Sequence, residues 1–497
     1  MRTGLLNTLT TANEIASARC SLAVSSTSFV PEIIDRHGRD GAHALSLDSG
    51  ARLVRRCDVA ACSILCMRLA IIGLWHLGCV FSGSLAALGH SVVAIDEDDD
   101  VIRRLRAGKL PVEEPGLAAL LSEGVNSGSL RFSNTLGEVS SAELVWLTID
   151  TPVRSDDTAD LAPVLDTAHR VASLMDSNSV LVISSQIPLG TSRQILRDAR
   201  SARPDGCFEV AYCPENLRLG SAISSFREAD RFVIGASSSR AASVVEESLS
   251  PVGAPVLSMS LESAELSKHA LNAFLAMSVA FANEVGRLAE IGGADAREVA
   301  KSLKLESRIG PRSYVMPGGP IAGGTLARDV RYLTGLGETF GTAIPLISSI
   351  LVSNSIQQSW AVDSLAEYCS PDSGPVLVFG LAYKQGTSTL RHSFGIDVAR
   401  NLVARGYNTR TYDSLAEPTS LPEENNGIER IDELEVALEG VAAVIVCAED
   451  SSSDRLLELI RAKESAPILI DAAGIIAKRP VPERVVIKVP GRGVEPR

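Results

Sequence analysis

Four polar residues recur at helical spacing inside an otherwise apolar stretch. Glu265, Lys268, His269 and Asn272 fall at i, i+3, i+4 and i+7, so Lys268 and Asn272 lie one turn apart on the same helical face. An ammonium and an amide presented together can stabilise a developing alkoxide or order a water; the same spacing also describes a solvated polar stripe. Downstream, the run from Gly318 to Asp329, GGPIAGGTLARD, is a glycine loop closing on a charged pair, a form that lets backbone fold over a ligand. Cys213 stands next but one to Glu215 at the end of an apolar run. That thiol reads as a relocated nucleophile or, more simply, as a buried cysteine at a strand end.

A second group of residues is arranged for a cofactor. Residues Arg68 to Asp96 read RLAIIGLWHLGCVFSGSLAALGHSVVAID: a buried strand, a glycine turn, an apolar helix, and a second strand ending in an acid. In such a unit the helix amino terminus faces the cofactor pyrophosphate and the acid takes the ribose hydroxyls. Asp96 therefore selects NAD over NADP, whose extra phosphate it would repel. The expected G-x-G-x-x-G appears as Gly73-Leu74-Trp75-His76-Leu77-Gly78, with an indole where the second glycine normally lets backbone approach the pyrophosphate. Trp75 and His76 either pack at the helix start or reshape the pyrophosphate site.

The elements that must position these residues follow an α/β grammar. Strand patterns at LVWLTI (Leu144 to Ile149), SVLVISS (Ser179 to Ser185), EVAYC (Glu209 to Cys213) and FVIGA (Phe232 to Ala236) alternate with helical ones, which predicts a parallel sheet covered on both faces. A proline-free helix over about 261–291, apolar on more than one face, predicts a domain connector and a subunit interface. From Pro375 the grammar restarts with PVLVFG, a helix near Phe394 to Arg405, NTRTYD, AAVIVCAE and PILIDAA, without a complete glycine fingerprint. The expected architecture is two Rossmann-like doubly wound domains joined by a long central helix. Its boundaries are a leader at 1–66, a cofactor domain at 67–258, a central helical dimerisation and catalytic domain at 259–362, and a carboxyl-terminal domain at 363–497.

Composition narrows the function classes. A chain of 497 residues with 45% hydrophobic residues supports two or three cored domains. A net charge of −13 leaves no basic surface for nucleic acid. Nine scattered cysteines without paired C-x-x-C spacing fit neither a zinc site nor a secreted disulfide framework, so no metal is expected and the compartment reads as reducing cytoplasm. No apolar run reaches membrane-spanning length. Residues 1–66 are rich in Ser, Arg and Ala, and Met67 stands immediately before the first strand; the leader reads as disordered or as an extension upstream of the start, with a targeting segment as the alternative.

From Met67 to about Lys488 the chain resembles the UDP-glucose/GDP-mannose dehydrogenase family. The ordered matches are the Rossmann opening, LRAGKLPVEEPGL (Leu105 to Leu117), DTPV (Asp150 to Val153), IPLGT (Ile187 to Thr191), PENLRLG (Pro214 to Gly220), AELSKHALNAFLA (Ala264 to Ala276), SRIGPR (Ser307 to Arg312), the glycine loop, and GLAYKQGTSTLRHS (Gly380 to Ser393). The resemblance implies oxidation of a sugar C6 alcohol twice with two NAD, through a cysteine-linked thiohemiacetal and thioester. It implies NAD held by Gly73, Trp75, Leu77, Gly78, Asp96 and Thr151. Lys268 and Asn272 would stabilise oxyanions or hold the hydrolytic water, Glu215 would activate or position that water, and Asp329 would support them. Arg308 resembles an arginine that reaches the sugar across a dimer. Gly323 and Gly324 belong to the substrate loop, and Lys384 and Arg391 resemble residues that hold the nucleotide, expected to be UDP-linked, or close the carboxyl-terminal domain on it.

Departures stand beside these matches. The family loop reads G-G-S-C-x-P-K-D, whereas Gly323-Gly324 runs into Thr325-Leu326-Ala327-Arg328-Asp329, shorter by one residue and with no cysteine. The S-T-x-P segment is Ser185-Gln186-Ile187-Pro188, and the second acid of P-E-F-L-R-E-G is Leu219. The expectation is an NAD-dependent nucleotide-sugar dehydrogenase closest to UDP-glucose 6-dehydrogenase. Its rivals are an enzyme that stops after one hydride at a carbonyl, and a catalytically silent nucleotide-sugar-binding or scaffold protein.

Overall fold

Among the described residues two β-sheets, covered on both faces except at their edge strands, organise the fold. The structure is a computed structural model that describes residues 66–152, 159–204, 206–322, 324–382, 390, 393–416 and 427–493. Apart from Cys66, the expected leader lies outside the described residues. The first sheet is built from β1 (Arg68–Ile72), β2 (Ser91–Ile95), β3 (Leu130–Ser133), β4 (Leu144–Leu147), β5 (Val180–Ile183), β6 (Glu209–Tyr212), β7 (Phe232–Ala236) and β8 (Val256–Met259). Its strands run in the order β3-β2-β1-β4-β5-β6-β7-β8. Along β1, Leu69 and Ile71 enter one core and Ala70 and Ile72 the other, the period-2 alternation of a strand covered on both faces.

The sheet departs from the all-parallel expectation at one place: β7 pairs with β6 antiparallel. The connection over 213–231 therefore stays at one end of the sheet, and that connection carries the P-E-N-L-R-L-G segment. The chain order reverses between β1's neighbours β2 and β4, which opens the crevice where doubly wound sheets take their ligands.

The second sheet repeats the plan with β9 (Val376–Phe379), β10 (Thr409–Tyr412), β11 (Ile428–Arg430), β12 (Ala443–Val446), β13 (Ile468–Asp471) and β14 (Ile487–Lys488). The order is β11-β10-β9-β12-β13-β14 and every pairing is parallel. The fold is thus α/β with two Rossmann-like domains, as the sequence pattern predicts.

Between them runs the helix Leu261–Gly292, 32 residues and so about 48 Å long. Ser260 caps its start by accepting from the Ser263 N–H at 3.1 Å, and Gly293 ends it at φ 71°, a left-handed position suited to glycine. Its inner face is mostly small: Ala273, Ala276 and Ala280 pack with Ile321, Val330, Leu333 and Ile350, which lets the helices Gly324–Thr339 and Pro345–Ala366 approach closely. Its outer face keeps Phe274, Phe281 and Leu288 exposed at 61%, 49% and 70%. The chain end returns to this helix, where the Gly491 N–H donates to Glu290 at 2.7 Å and Lys488 lies 3.7 Å from the same carboxylate.

Candidate functional site

The cofactor turn is built by steric necessity. Gly73 sits at φ 92°, and a Cβ there would lie 2.8 Å from Ile149 Cγ1; a Cβ on Gly78 would lie 2.0 Å from the Gly73 carbonyl oxygen. Only glycine at both positions lets the strand turn and the helix His76–Ala87 pack against it. Trp75 needs no such freedom. It forms the extended N-cap of that helix, with φ −87° and ψ −154°, and its indole is half exposed, beside the backbone N–H groups where an anion docks. Leu77 packs against the first core. Asp96, at the end of β2, accepts from the Leu74 N–H at 2.8 Å and the Asp98 N–H at 3.1 Å. The cradle therefore fits a dinucleotide, with Trp75 as an added wall. Thr151 faces the neighbouring segment, donating to the Gln186 carbonyl at 2.7 Å.

His76 does more than pack. Its Nε2 lies 2.9 Å from Glu114, and the same carboxylate accepts from the Gly220 and Ala222 N–H groups, each at 2.8 Å. Burial works against the Glu114 charge, but the His76 bond and these backbone donors hold its carboxyl below the usual range. The pair thereby pins the loop after β6 to the cofactor helix.

That loop carries Glu215, and Glu215 meets Lys268. The Lys268 ammonium donates to the Glu215 carbonyl oxygen and lies 3.4 Å from both Glu215 Oε1 and Asn216 Oδ1. One turn on, Asn272 Nδ2 donates to Asp329 Oδ2. Asp329 is wholly buried. Its Oδ1 faces two partners, Gln186 Nε2 and His269 Nδ1, the latter at 3.0 Å. His269 Nε2 faces the Ile187 carbonyl at 2.9 Å; a carbonyl only accepts, so Nε2 carries a hydrogen. Arg328 donates to Gln186 Oε1, fixing the amide's orientation, and the Tyr332 ring lies against His269 at a 37° tilt with centroids 4.2 Å apart.

The helical stripe is thus a buried network rather than a solvated face. Glu265 belongs to its frame: fully buried, it accepts from the Gly190 and Ser192 N–H groups at 2.5 and 2.7 Å, closing the start of the helix Thr191–Ala202. Burial pushes its carboxyl above the usual range, against the pull of those donors.

Other expected residues fall elsewhere. Arg308 lies in solvent, bonded to Glu306 at 2.9 Å, outside the network of its own chain. Gly324 opens the helix Gly324–Thr339. Gly323, Lys384 and Arg391 lie outside the described residues. Counted back from Asp329 along that helix, the cysteine of G-G-S-C-x-P-K-D corresponds to Thr325, so the helical register absorbs the apparent shortening. Cys213 is buried at the end of β6, and burial pushes its thiol up to about 12, which leaves no thiolate.

Sequence reasoning passed over Asp150. It follows β4 at the crevice and solvent reaches it, yet the surrounding protein and the Glu215 charge push its carboxyl above the usual range, against His76 and Arg328. The signal available in the sequence was a carboxylate directly before Thr151. Among the described residues no group of three or more His, Cys, Asp or Glu is placed to hold a metal, and no helix is long and apolar enough to cross a membrane.

Comparison with known proteins agrees with this geometry. Residues 67–252 match the NAD binding domain of the UDP-glucose/GDP-mannose dehydrogenase family, 262–355 its central domain and 377–478 its UDP binding domain. The chain belongs to that family, a class of NAD-dependent oxidoreductases acting on the CH–OH group of a nucleotide sugar. It is 31% identical to UDP-glucose 6-dehydrogenase TuaD of Bacillus subtilis over 82% of this chain and 90% of that protein. It is 33% identical to GDP-mannose 6-dehydrogenase of Azotobacter vinelandii over 71% of this chain and 82% of that one. A UDP-glucose dehydrogenase structure from Pyrobaculum islandicum superposes with a TM-score of 0.76 at 30% identity, covering 86% of this chain and 97% of that one.

Proposed function

We propose that the protein oxidises the C6 hydroxyl of a UDP-linked hexose, with UDP-glucose the nearest substrate among those of its relatives. One observation carries the reading. Lys268 and Asn272, one helical turn apart, are held by Glu215 and Asp329 from two distant segments, beside loops that follow β4, β5 and β6. Lys268 offers three donors. Its contacts at 3.4 Å are long enough to yield to a substrate oxygen, so the ammonium can stabilise an alkoxide as it forms. Bound NAD supplies the hydride acceptor. The experiment is a panel of UDP- and GDP-linked sugars with NAD, read by NADH formation. Turnover with UDP-glucose above GDP-mannose supports the reading, and binding without turnover supports a scaffold.

The working unit is a homodimer in this proposal. Phe274, Phe281 and Leu288 stand seven residues apart on the long helix and are exposed, and a repeat of seven is the spacing that packs one helix along another. Arg308, displayed in solvent by its own chain, is then free to reach a partner's site. Sedimentation at micromolar concentration tests this; a monomer contradicts it. The described cysteines are free thiols, which supports a reducing, cytoplasmic setting, testable by cell fractionation.

A further inference from the structure

We infer that the reaction ends at the carbonyl: each UDP-linked hexose loses one hydride, and the product is the UDP-linked aldehyde rather than the acid. The inference rests on the proposed function above. In the balanced step the C6–H hydride passes to oxidised nicotinamide, the hydroxyl proton is released to solvent, and a C–O single bond becomes C=O.

A second oxidation needs a nucleophile to add to that carbonyl, because only a tetrahedral adduct again has a hydride to give. Two nucleophiles are available in principle, a side chain and water. A thiol is missing from the place one turn ahead of Asp329, where Thr325 stands exposed. A hydroxyl is a weak nucleophile unless an adjacent base activates it, and the nearest carboxylate along the helix is Asp329. Water adds faster with a base beside it, and the exposed carboxylate at the crevice, Asp150, follows β4 rather than standing on the helix that carries Asp329. Asp329 is 0% exposed, its Oδ2 takes Asn272, and its Oδ1 takes both Gln186 and His269.

Gln186 is the wedge. Its side chain is long enough to bond Asp329 directly, and Arg328 locks the amide the right way round. His269 closes the other approach, with Nδ1 3.0 Å from the same oxygen. The first hydride transfer needs no added nucleophile: Lys268 stabilises the alkoxide while the hydroxyl proton passes to solvent water. The site keeps the apparatus for alcohol oxidation and has lost that for adding to an aldehyde.

The test is the stoichiometry of NADH per UDP-glucose consumed by the wild-type protein, with NAD regenerated enzymatically and the product weighed. One NADH and a product lighter by two hydrogens are expected. Two NADH and a product with one oxygen in place of two hydrogens overturn this inference while leaving the proposed function standing. No NADH with any UDP-linked sugar overturns the function itself, and the inference with it.

A second measurement does not depend on turnover. In Thr325→Cys, peptide-resolved iodoacetamide labelling at position 325 should be slowed about tenfold or more by UDP-glucose. Absence of protection places that residue away from the sugar and overturns the argument. In the folded double variant Thr325→Cys with Gln186→Thr, acid should appear. A labelled, folded double variant that still yields only aldehyde shows that these two positions do not set the end point.

Discussion

The two Rossmann-like domains make the same turn and put it to different use. In the first, a Cβ on Gly78 would meet the Gly73 carbonyl at 2.0 Å; in the second, a Cβ on Gly395 would meet the Gly380 carbonyl at 2.6 Å. Each turn leans on an acid at the end of the second strand, Asp96 in one and Asp413 in the other. The acids differ in what they have left. Asp96 is half-buried and accepts from Leu74 and Asp98. Asp413 is buried and accepts four backbone N–H groups, from Leu381, Ala382, Leu415 and Ala416, at 2.7 to 2.9 Å. A carboxylate has about four acceptor sites, so Asp413 is saturated while Asp96 can still take ribose hydroxyls. A shared fold therefore does not confer a shared ligand: the first turn keeps an acid with spare acceptor capacity, and the second spends its acid on the turn itself.

The harshest way to break the comparison is to fill both turns. Gly78→Val and Gly395→Val each force a helix off its strand and should cost about 3 kcal/mol or more. The first is expected to abolish NAD binding, and the second to abolish UDP binding while a folded first domain retains NAD. Thermal denaturation with titration of each ligand checks this, and equal loss of both ligands in both variants would erase the distinction.

A sharper cut changes only the acids. Asp96→Ala should weaken NAD by about 10- to 100-fold, the worth of a hydrogen bond to a charged group, and narrow the preference over NADP. Asp413→Asn should lower the melting temperature and leave that preference unchanged. Cofactor titrations on both variants decide it; a changed NAD/NADP ratio in Asp413→Asn contradicts the assignment.

The smallest expected effect, on the order of 1 kcal/mol, is in pH dependence, where Glu114 in the first domain and Asp471 in the second differ in sign. Glu114 is held below the usual carboxylate range when folded. Its contribution is complete above the unfolded value of about 4.3 and is lost as pH falls through the folded one. Asp471 is the reverse: burial raises its carboxyl, against backbone donors from Ala477, Ile475 and Ile476. The chain therefore loses stability as pH rises from about 3.9 through the raised value. Urea titrations across this range should show Glu114→Gln flattening the acid-side loss and Asp471→Asn removing the opposing slope.

What the sequence made legible was whatever depends on local periodicity. The strand FVIGA is β7 residue for residue, and the helix expected over about 261–291 spans Leu261–Gly292, because buried strands and long helices imprint their spacing on the chain. The antiparallel turn between β6 and β7 was not legible, since periodicity carries no direction. Lys268 and Asn272 stood out by their i, i+4 spacing. Gln186 was read only as a departure from a motif, and Asp150 was passed over. Their roles arise where segments 143 residues apart meet, as Gln186 and Asp329 do, and no local pattern encodes such a meeting.

In the proposed reaction Lys268 is the group that stabilises the substrate oxygen. The most direct test is NADH production from UDP-glucose at saturating NAD by Lys268→Ala beside Cys213→Ala. Loss of one preorganised donor should cut the lysine variant's rate about 10²- to 10³-fold with NAD affinity unchanged, while Cys213→Ala keeps the wild-type rate because its thiol is buried and pushed up to about 12. Full activity of Lys268→Ala, or an inactive but folded Cys213→Ala, would contradict it.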